Sequence, residues 1–155
     1  MKRFLFSTIF MLIGVLLILG CIGKDNKFFK SGNSLKNIEA DSLLNNHWVL
    51  QKLNGIDVVK EKAGNEIPYL KFNLSDSGVS GYTGCNEISG KAVVSGDEII
   101  FEEISMSKIY CPDAQYERDI LNVVFYKGIL KYKIDSGTLS LFKDEVEIMI
   151  FKKKD

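Results

Sequence analysis

Apolar and polar residues alternate along much of the chain after residue 41, which is the pattern of strands with one buried face. The alternation is clearest at residues 70–74, 130–134 and 139–141. Turn-forming pairs such as Asn54-Gly55 and Ser136-Gly137 separate these segments. The pattern therefore predicts short antiparallel strands joined by tight hairpins.

One segment has the periodicity of a helix. Apolar residues recur at spacings of three and four from Tyr116 to Val124, and Gly128 is a typical helix stop. This predicts one amphipathic helix at about 113–127, with Glu117, Arg118 and Asp119 on its solvent-exposed face. About eight strands and this helix predict a β-rich α+β fold: a small antiparallel, partly open β-barrel with one packed helix.

The first twenty residues have the composition of a targeting signal. Lys2 and Arg3 precede a run without charge from residue 4 to residue 20, as in an n-region followed by an h-region. The run ends at Gly20-Cys21, and this junction resembles the lipobox of secreted lipoproteins. The resemblance implies cleavage after Gly20, a diacylglycerol on the Cys21 sulfur and acylation of the new α-amino group.

These features predict three regions: a lipoprotein signal peptide at 1–20, a lipidated Cys21 with a flexible tether at 21–40, and a globular domain at 41–155. The tether is rich in lysine, asparagine and serine, so it cannot bury a core of its own. The alternative is an uncleaved N-terminal membrane helix, because the uncharged run reaches the lower limit for spanning a bilayer. Both alternatives attach the domain to the cell membrane, facing outside the cytoplasm.

Length and charge exclude several classes of protein. The chain has 155 residues, of which 46% are apolar, which suits one globular domain besides the signal and tether. Twenty basic and twenty acidic residues give a net charge of +0, which argues against binding to nucleic acid through its phosphates.

Few residues are available for catalysis or metal binding. The single histidine, His47, lies beside Trp48 at the start of the first predicted strand, and no cysteine has a base next to it in the sequence. The CxxC and HxxxH spacings of zinc sites are missing, and no pair of carboxylates can be named for glycoside hydrolysis. We therefore expect no catalytic residue, no metal site and no cofactor. Trp48 is predicted to be a core residue.

A glycine-rich motif lies at the centre of the chain and consists of Gly81, Gly84, Cys85, Asn86 and Gly90. A Trp-Val-Leu segment precedes the motif at 48–50, and Cys111 and the predicted helix follow it. With these neighbours the chain resembles the META domain family of HslJ-like envelope lipoproteins. The resemblance implies a small, partly open β-barrel with a packed helix, associated with envelope stress. It implies no established catalytic activity, cofactor or ligand.

One segment departs from the family pattern. Family members usually carry Thr-x-Met-Ala-Cys before the helix, whereas this chain has residues 107–111 with Tyr110 at the position of the small residue. We expect the core to be repacked in this segment, including at Tyr110.

The three cysteines suggest a division of roles. If Cys21 carries lipid, Cys85 and Cys111 remain as a pair, and an oxidising compartment favours a disulfide between them. The alternative is two buried thiols that pack as small apolar side chains.

Two functions from different classes fit these observations. The first is a non-enzymatic envelope stress or binding module that takes a peptide, a protein or a small apolar ligand at a sheet edge or the barrel mouth. Its candidate contacts are Tyr69, Tyr82 and Tyr110, which we expect to be exposed. The second is a thiol-based redox protein using Cys85 and Cys111, against which the missing CxxC pair weighs. The binding module is the favoured function.

Overall fold

A computed structural model describes residues 42–64, 66–112 and 114–155. Within these residues the chain forms nine strands, a short 3₁₀ helix at Lys60–Lys62 and the helix α1 at Glu117–Val124. The strands are β1 (His47–Leu53), β2 (Ile56–Asp57), β3 (Tyr69–Asn73), β4 (Gly78–Tyr82), β5 (Glu87–Ser95), β6 (Glu98–Met106), β7 (Leu130–Asp135), β8 (Thr138–Lys143) and β9 (Val146–Lys153). The predicted signal peptide and tether, with Cys21, lie outside the described residues.

Tight turns join the strands at the positions predicted from the sequence. Asn54 and Gly55 have φ angles of 50° and 78° between β1 and β2, and Ser136 and Gly137 have φ angles of 48° and 72° between β7 and β8. Positive φ at both central residues is the signature of a type I′ turn, whose twist matches that of the flanking strands. These turns therefore favour the antiparallel pairing of each hairpin.

The strands form a ring, because the sheet order runs from β2 and β1 through β3 to β9, and β9 pairs back with β1. The pairing of β6 with β7 is only two residue pairs long. Beyond it, at residues 100–106, no strand of the described residues pairs with the outer edge of β6. A cleft of about 500 Å³ lies there, between β6 and the end of α1. The prediction of a partly open antiparallel barrel with a packed helix is confirmed.

Apolar side chains fill the inside of the ring. The alternating positions predicted to face inward are buried at Leu70, Phe72, Leu130, Tyr132, Leu139 and Leu141. Trp48 is 1% exposed, and its indole Nε1 donates a hydrogen bond to the Leu44 carbonyl at 2.8 Å. This bond satisfies the polar atom of the indole inside the core. The prediction that Trp48 is a core residue is confirmed.

Helix α1 is shorter than the predicted 113–127, since it spans Glu117–Val124. Its apolar face is buried in the core. The backbone amide of Gln115 donates a hydrogen bond to the Lys62 carbonyl at 3.3 Å. The residues directly before α1 therefore bond to another part of the chain and do not extend the helix. Asp113, at the predicted start, lies outside the described residues.

Candidate functional site

The glycine-rich motif builds the connection between β4 and β5. Gly81 is a buried residue of β4, where it pairs with Ile88 of β5. Gly84, Cys85 and Asn86 form the loop between the two strands. The motif therefore occupies one continuous piece of the barrel wall, which continues through β5.

Gly84 and Gly90 of the motif permit close approaches of the backbone, as Gly81 does beside the Tyr69 carbonyl oxygen. Gly84 has a φ of +100°, and a Cβ atom there would lie 2.5 Å from the Ala63 carbonyl oxygen. Gly90 lies opposite a bulge in β6, at which Glu103 has a φ of 51°. A Cβ atom on Gly90 would lie 2.8 Å from the Glu102 carbonyl oxygen. A side chain at either position would therefore push the neighbouring backbone away.

Asn86 is the buried polar residue at the centre of the site, with 2% of its surface exposed. Its Oδ1 accepts hydrogen bonds from the Ser107 hydroxyl at 2.8 Å and from the Ile109 amide at 2.7 Å. Its Nδ2 donates to the Ile109 carbonyl at 3.1 Å and to Glu117 Oε1 at 2.7 Å. The side-chain amide thus uses both acceptor positions and both donors. Asn86 ties the β4–β5 loop to the segment before α1 and to α1 itself.

Thr83, which is fully buried, completes this network. The backbone amide of Asn86 donates a hydrogen bond to Thr83 Oγ1 at 2.9 Å, and Thr83 Oγ1 in turn donates to Glu117 Oε1 at 2.8 Å. The prediction that Glu117 lies on a solvent-exposed face is therefore wrong. The physical reason is that the Asn86 and Thr83 side chains present donors inside the protein, and the Glu117 carboxylate supplies their acceptor.

Cys85 and Cys111 form a disulfide, with an S–S distance of 2.04 Å and a Cα–Cα distance of 5.8 Å. Of the two alternatives that the sequence left open, the structure therefore has the bonded pair. Cys85 is 4% exposed. The bond joins the β4–β5 loop to the segment before α1, so it reinforces covalently the connection that Asn86 makes through hydrogen bonds.

The three tyrosines predicted as contacts lie in two different places. Tyr69 and Tyr82 are half-buried neighbours on β3 and β4, with ring centroids 6.3 Å apart. Tyr110 belongs to the segment before α1 and is 89% exposed. The expected repacking of the core at Tyr110 is therefore wrong. Its neighbour Ile109 is held at its backbone by Asn86, and Tyr110 projects outward from that attachment.

His47 lies on β1 with its ring against Tyr69, at a centroid distance of 4.6 Å. Its buried Nε2 has no hydrogen-bond partner within the described part of the chain. Burial lowers the pKa of His47, Lys154 and Lys71 lower it further, and Glu66 opposes them. In the charged ring both nitrogens carry a proton, and the proton on the buried Nε2 would have no acceptor, which costs free energy. The ring is therefore neutral at neutral pH.

This lowered pKa predicts a loss of stability on acidification. The unfolded chain takes up a proton at the ordinary histidine pKa of about 6.5, whereas the folded chain takes it up only at lower pH. The free energy of unfolding should therefore fall as the pH drops from about 7.5 to about 5. His47→Gln should lose less stability over the same interval, as measured by urea unfolding at each pH. Equal losses in the two proteins would contradict this assignment.

Within residues 42–64, 66–112 and 114–155, no cluster of three or more histidine, cysteine or acidic side chains is arranged to hold a metal ion. The same residues contain no helix with the length and hydropathy needed to cross a membrane. The predicted lipidation site, Cys21, lies outside them.

The sequence reasoning missed three residues of the site: Thr83, Ser107 and Glu117. Thr83 had a local signal, since threonine and asparagine side chains near a turn often bond the neighbouring backbone. Glu117 had none, because its partners Asn86 and Thr83 are 31 and 34 residues away along the chain.

Comparisons with known proteins agree with this architecture. A family model described as the META domain matches residues 41–155. A comparison with curated proteins found no match. One solved NMR structure is 20% identical, with a TM-score of 0.59 over 73% of this chain and 92% of that chain. A second, of a protein from Burkholderia xenovorans, is 21% identical, with a TM-score of 0.57 over 75% and 87% of the two chains. At these identities the likeness shows the fold alone.

Proposed function

This chain belongs to the META domain family, and we propose that it is an exported, lipid-anchored binding module without enzymatic activity. The observation that carries the proposal is the disulfide between Cys85 and Cys111. Disulfides persist in oxidising compartments and are rare in the cytosol. Because the sequence has three cysteines, this bond leaves Cys21 for attachment to lipid.

The N-terminal sequence supports the anchoring part of the proposal. Cys21 directly follows the h-region, at the position of the modified cysteine in a lipobox. Two acyl chains hold a protein stably at a membrane, whereas a single chain holds it only reversibly. A diacylated Cys21 would therefore anchor the domain at the outer side of the cell membrane, with the polar tether at 21–40 giving it reach.

The buried network supports a structural role for the motif. A catalytic group must reach a substrate and must have a proton or lone pair to exchange. The Asn86 side chain is buried with its donors and acceptor positions used, and Glu117 Oε1 is engaged by Asn86 and Thr83. Burial of Cys85 also weighs against redox cycling, because thiol exchange needs access to a sulfur.

The filled barrel interior indicates where a partner would bind. Buried side chains such as Trp48 and Phe151 occupy the inside of the ring, so a ligand would have to bind on the outside. Among the described residues, the outer surfaces include the open edge of β6 at residues 100–106 and the outer face of β3 to β6. A peptide, a protein or a small molecule can bind at either surface without unpacking the core.

Mass spectrometry of the membrane-extracted protein tests the anchor. We expect the wild-type protein to lack residues 1–20 and to carry added acyl mass, and Cys21→Ser to retain those residues without acyl mass. The double variant Cys85→Ser/Cys111→Ser is the matched control, and it should be processed and acylated like the wild type. Recovery of wild-type protein that begins at Met1 would favour an uncleaved membrane helix instead.

A further inference from the structure

A depression of about 410 Å³ lies on the outer face of strands β3 to β6. Its polar lining consists of Tyr69, Ser80, Glu87, Ser89, Ser105 and Ser107. Its volume falls in the range of small-molecule sites, about 300–1,000 Å³. The surface is therefore large enough to hold a ligand and rich in hydroxyl groups.

The register of the sheet brings these hydroxyls together. Ser80 of β4 lies opposite Ser89 of β5, and Ser89 lies opposite Ser105 of β6. The Ser89 and Ser105 hydroxyl oxygens are 3.0 Å apart. Side chains at directly opposed positions of neighbouring strands share one face of a sheet. The three serines thus form a row across three strands, on the side away from the core.

Aromatic rings line up beside this row. The rings of His47 and Tyr69 have centroids 4.6 Å apart, and those of Tyr69 and Tyr82 have centroids 6.3 Å apart. Tyr82 lies opposite Glu87, which brings this aromatic row to the edge of the depression. Since the lowered pKa of His47 keeps its ring neutral, the aromatic row carries no charge at neutral pH.

Several polar groups in the depression are not engaged by the protein. The Ser80 hydroxyl, the Tyr69 hydroxyl and the Glu87 carboxylate make no hydrogen bond or ion pair within the described part of the chain. Burial raises the pKa of Tyr69, and Glu66 and Glu87 raise it further, so its hydroxyl stays protonated and able to donate. The depression thus offers both donors and acceptors to a ligand.

We propose that this depression binds a neutral saccharide, with the sugar lying against the Tyr69 ring and its hydroxyls bonded to Ser80 and Glu87. A sugar ring has an apolar C–H face that suits an aromatic side chain, and each of its hydroxyls both donates and accepts hydrogen bonds. This inference rests on the proposed function, because it names the ligand class of the binding module and places its site.

The charges and hydroxyls of the site favour a neutral polar ligand over other classes. Glu87 is the charged residue of the lining, so an anionic group bonded beside its carboxylate would be repelled. An apolar ligand would cover the Ser80 hydroxyl without giving it a partner, which costs free energy. A cationic ligand attracted by Glu87 is the remaining alternative, and comparing tetralysine with neutral sugars separates it from a saccharide.

Amide chemical shifts of the ¹⁵N-labelled full chain, held in a detergent without a sugar headgroup, test the proposal. The probes are the neutral tetrasaccharides of β-1,4-linked N-acetylglucosamine, β-1,4-linked glucose and α-1,4-linked glucose, with tetralysine as the cationic probe. We expect at least one sugar to shift the amides of Ser80, Ser89 and Ser105 in a saturable manner. Tyr69→Ala should weaken that binding by about tenfold or more.

Two further variants separate ligand contact from folding. Tyr126→Ala is the matched control, because it removes a half-buried tyrosine outside the depression, and it should bind like the wild type. Glu87→Gln keeps the shape of an exposed side chain and should weaken sugar binding severalfold through loss of the charged acceptor.

Three results would overturn the proposal. One is the absence of a saturable shift with all three sugars, and another is sugar binding that Tyr69→Ala and Glu87→Gln leave unchanged. The third is saturable binding of tetralysine alone, which would reject the saccharide while leaving the proposed binding module standing. The anchor is measured separately by mass, so a failure of the proposed export would appear as an unprocessed and unacylated wild-type chain.

Discussion

Replacing Asn86 with alanine should lower the free energy of unfolding by about 3–5 kcal/mol. The change removes the side-chain hydrogen bonds to Ser107, Ile109 and Glu117. It also leaves the Ile109 backbone amide without its acceptor and the Glu117 carboxylate with Thr83 as its remaining partner in the network. Each buried polar group left unpaired costs about 1–3 kcal/mol. Urea unfolding followed by circular dichroism measures the difference from the wild type.

Two other substitutions show whether the effect belongs to the network. Asn73→Ala is the matched control, because Asn73 is exposed and its side-chain amide bonds to the exposed side chains of Asp76 and Ser75, so its cost should be about 0.5 kcal/mol or less. Asn86→Asp keeps the shape but turns a carboxylate oxygen toward Glu117, so it should destabilise the protein at neutral pH. A cost for Asn86→Ala no greater than that for Asn73→Ala would show that the network contributes little to stability.

The parts of the fold that were predictable are those whose physical cause is local. Leu139 and Leu141 are fully buried because a strand turns alternate side chains to one face, and that period of two is visible in the sequence. Ser136-Gly137 was predictable for a similar reason, since few residue pairs adopt two successive positive φ angles. The alternation and the turns together are sufficient to indicate antiparallel hairpins.

The parts that escaped prediction depend on contacts between distant segments. The late start of α1 follows from the bond between the Gln115 amide and Lys62, which no helical periodicity can reveal. The bonds between the Asn86 side chain and the Ile109 backbone likewise join residues 23 positions apart along the chain. The motif residue Asn86 was predicted from a family resemblance, whereas its role became clear only from its partners. Resemblance therefore located the site, and the tertiary hydrogen bonds explain it.

Reducing the Cys85–Cys111 disulfide should lower the free energy of unfolding by about 3.5 kcal/mol, the loop-entropy value for a separation of 26 residues. The disulfide lowers the conformational entropy of the unfolded chain more than that of the folded chain. Reduction therefore makes more unfolded conformations accessible, which favours unfolding. Cys85→Ser/Cys111→Ser should show a similar loss without reductant. Urea unfolding of the oxidised, reduced and double-variant proteins makes the comparison, with Cys21→Ser as the control that retains the bond.

A redox titration of the same protein, followed by thiol alkylation and mass, distinguishes a structural bond from a cycling one. Cys85 is 4% exposed, and its loop is also held by the Asn86 network, so an attacking thiolate has little access to its sulfur. We therefore expect a reduction potential below about −300 mV and slow exchange with glutathione. A potential near about −200 mV with rapid exchange would instead support redox cycling of Cys85 and Cys111. In that case, the loss of stability on reduction would be part of a switch, because each reduction would loosen the segment before α1.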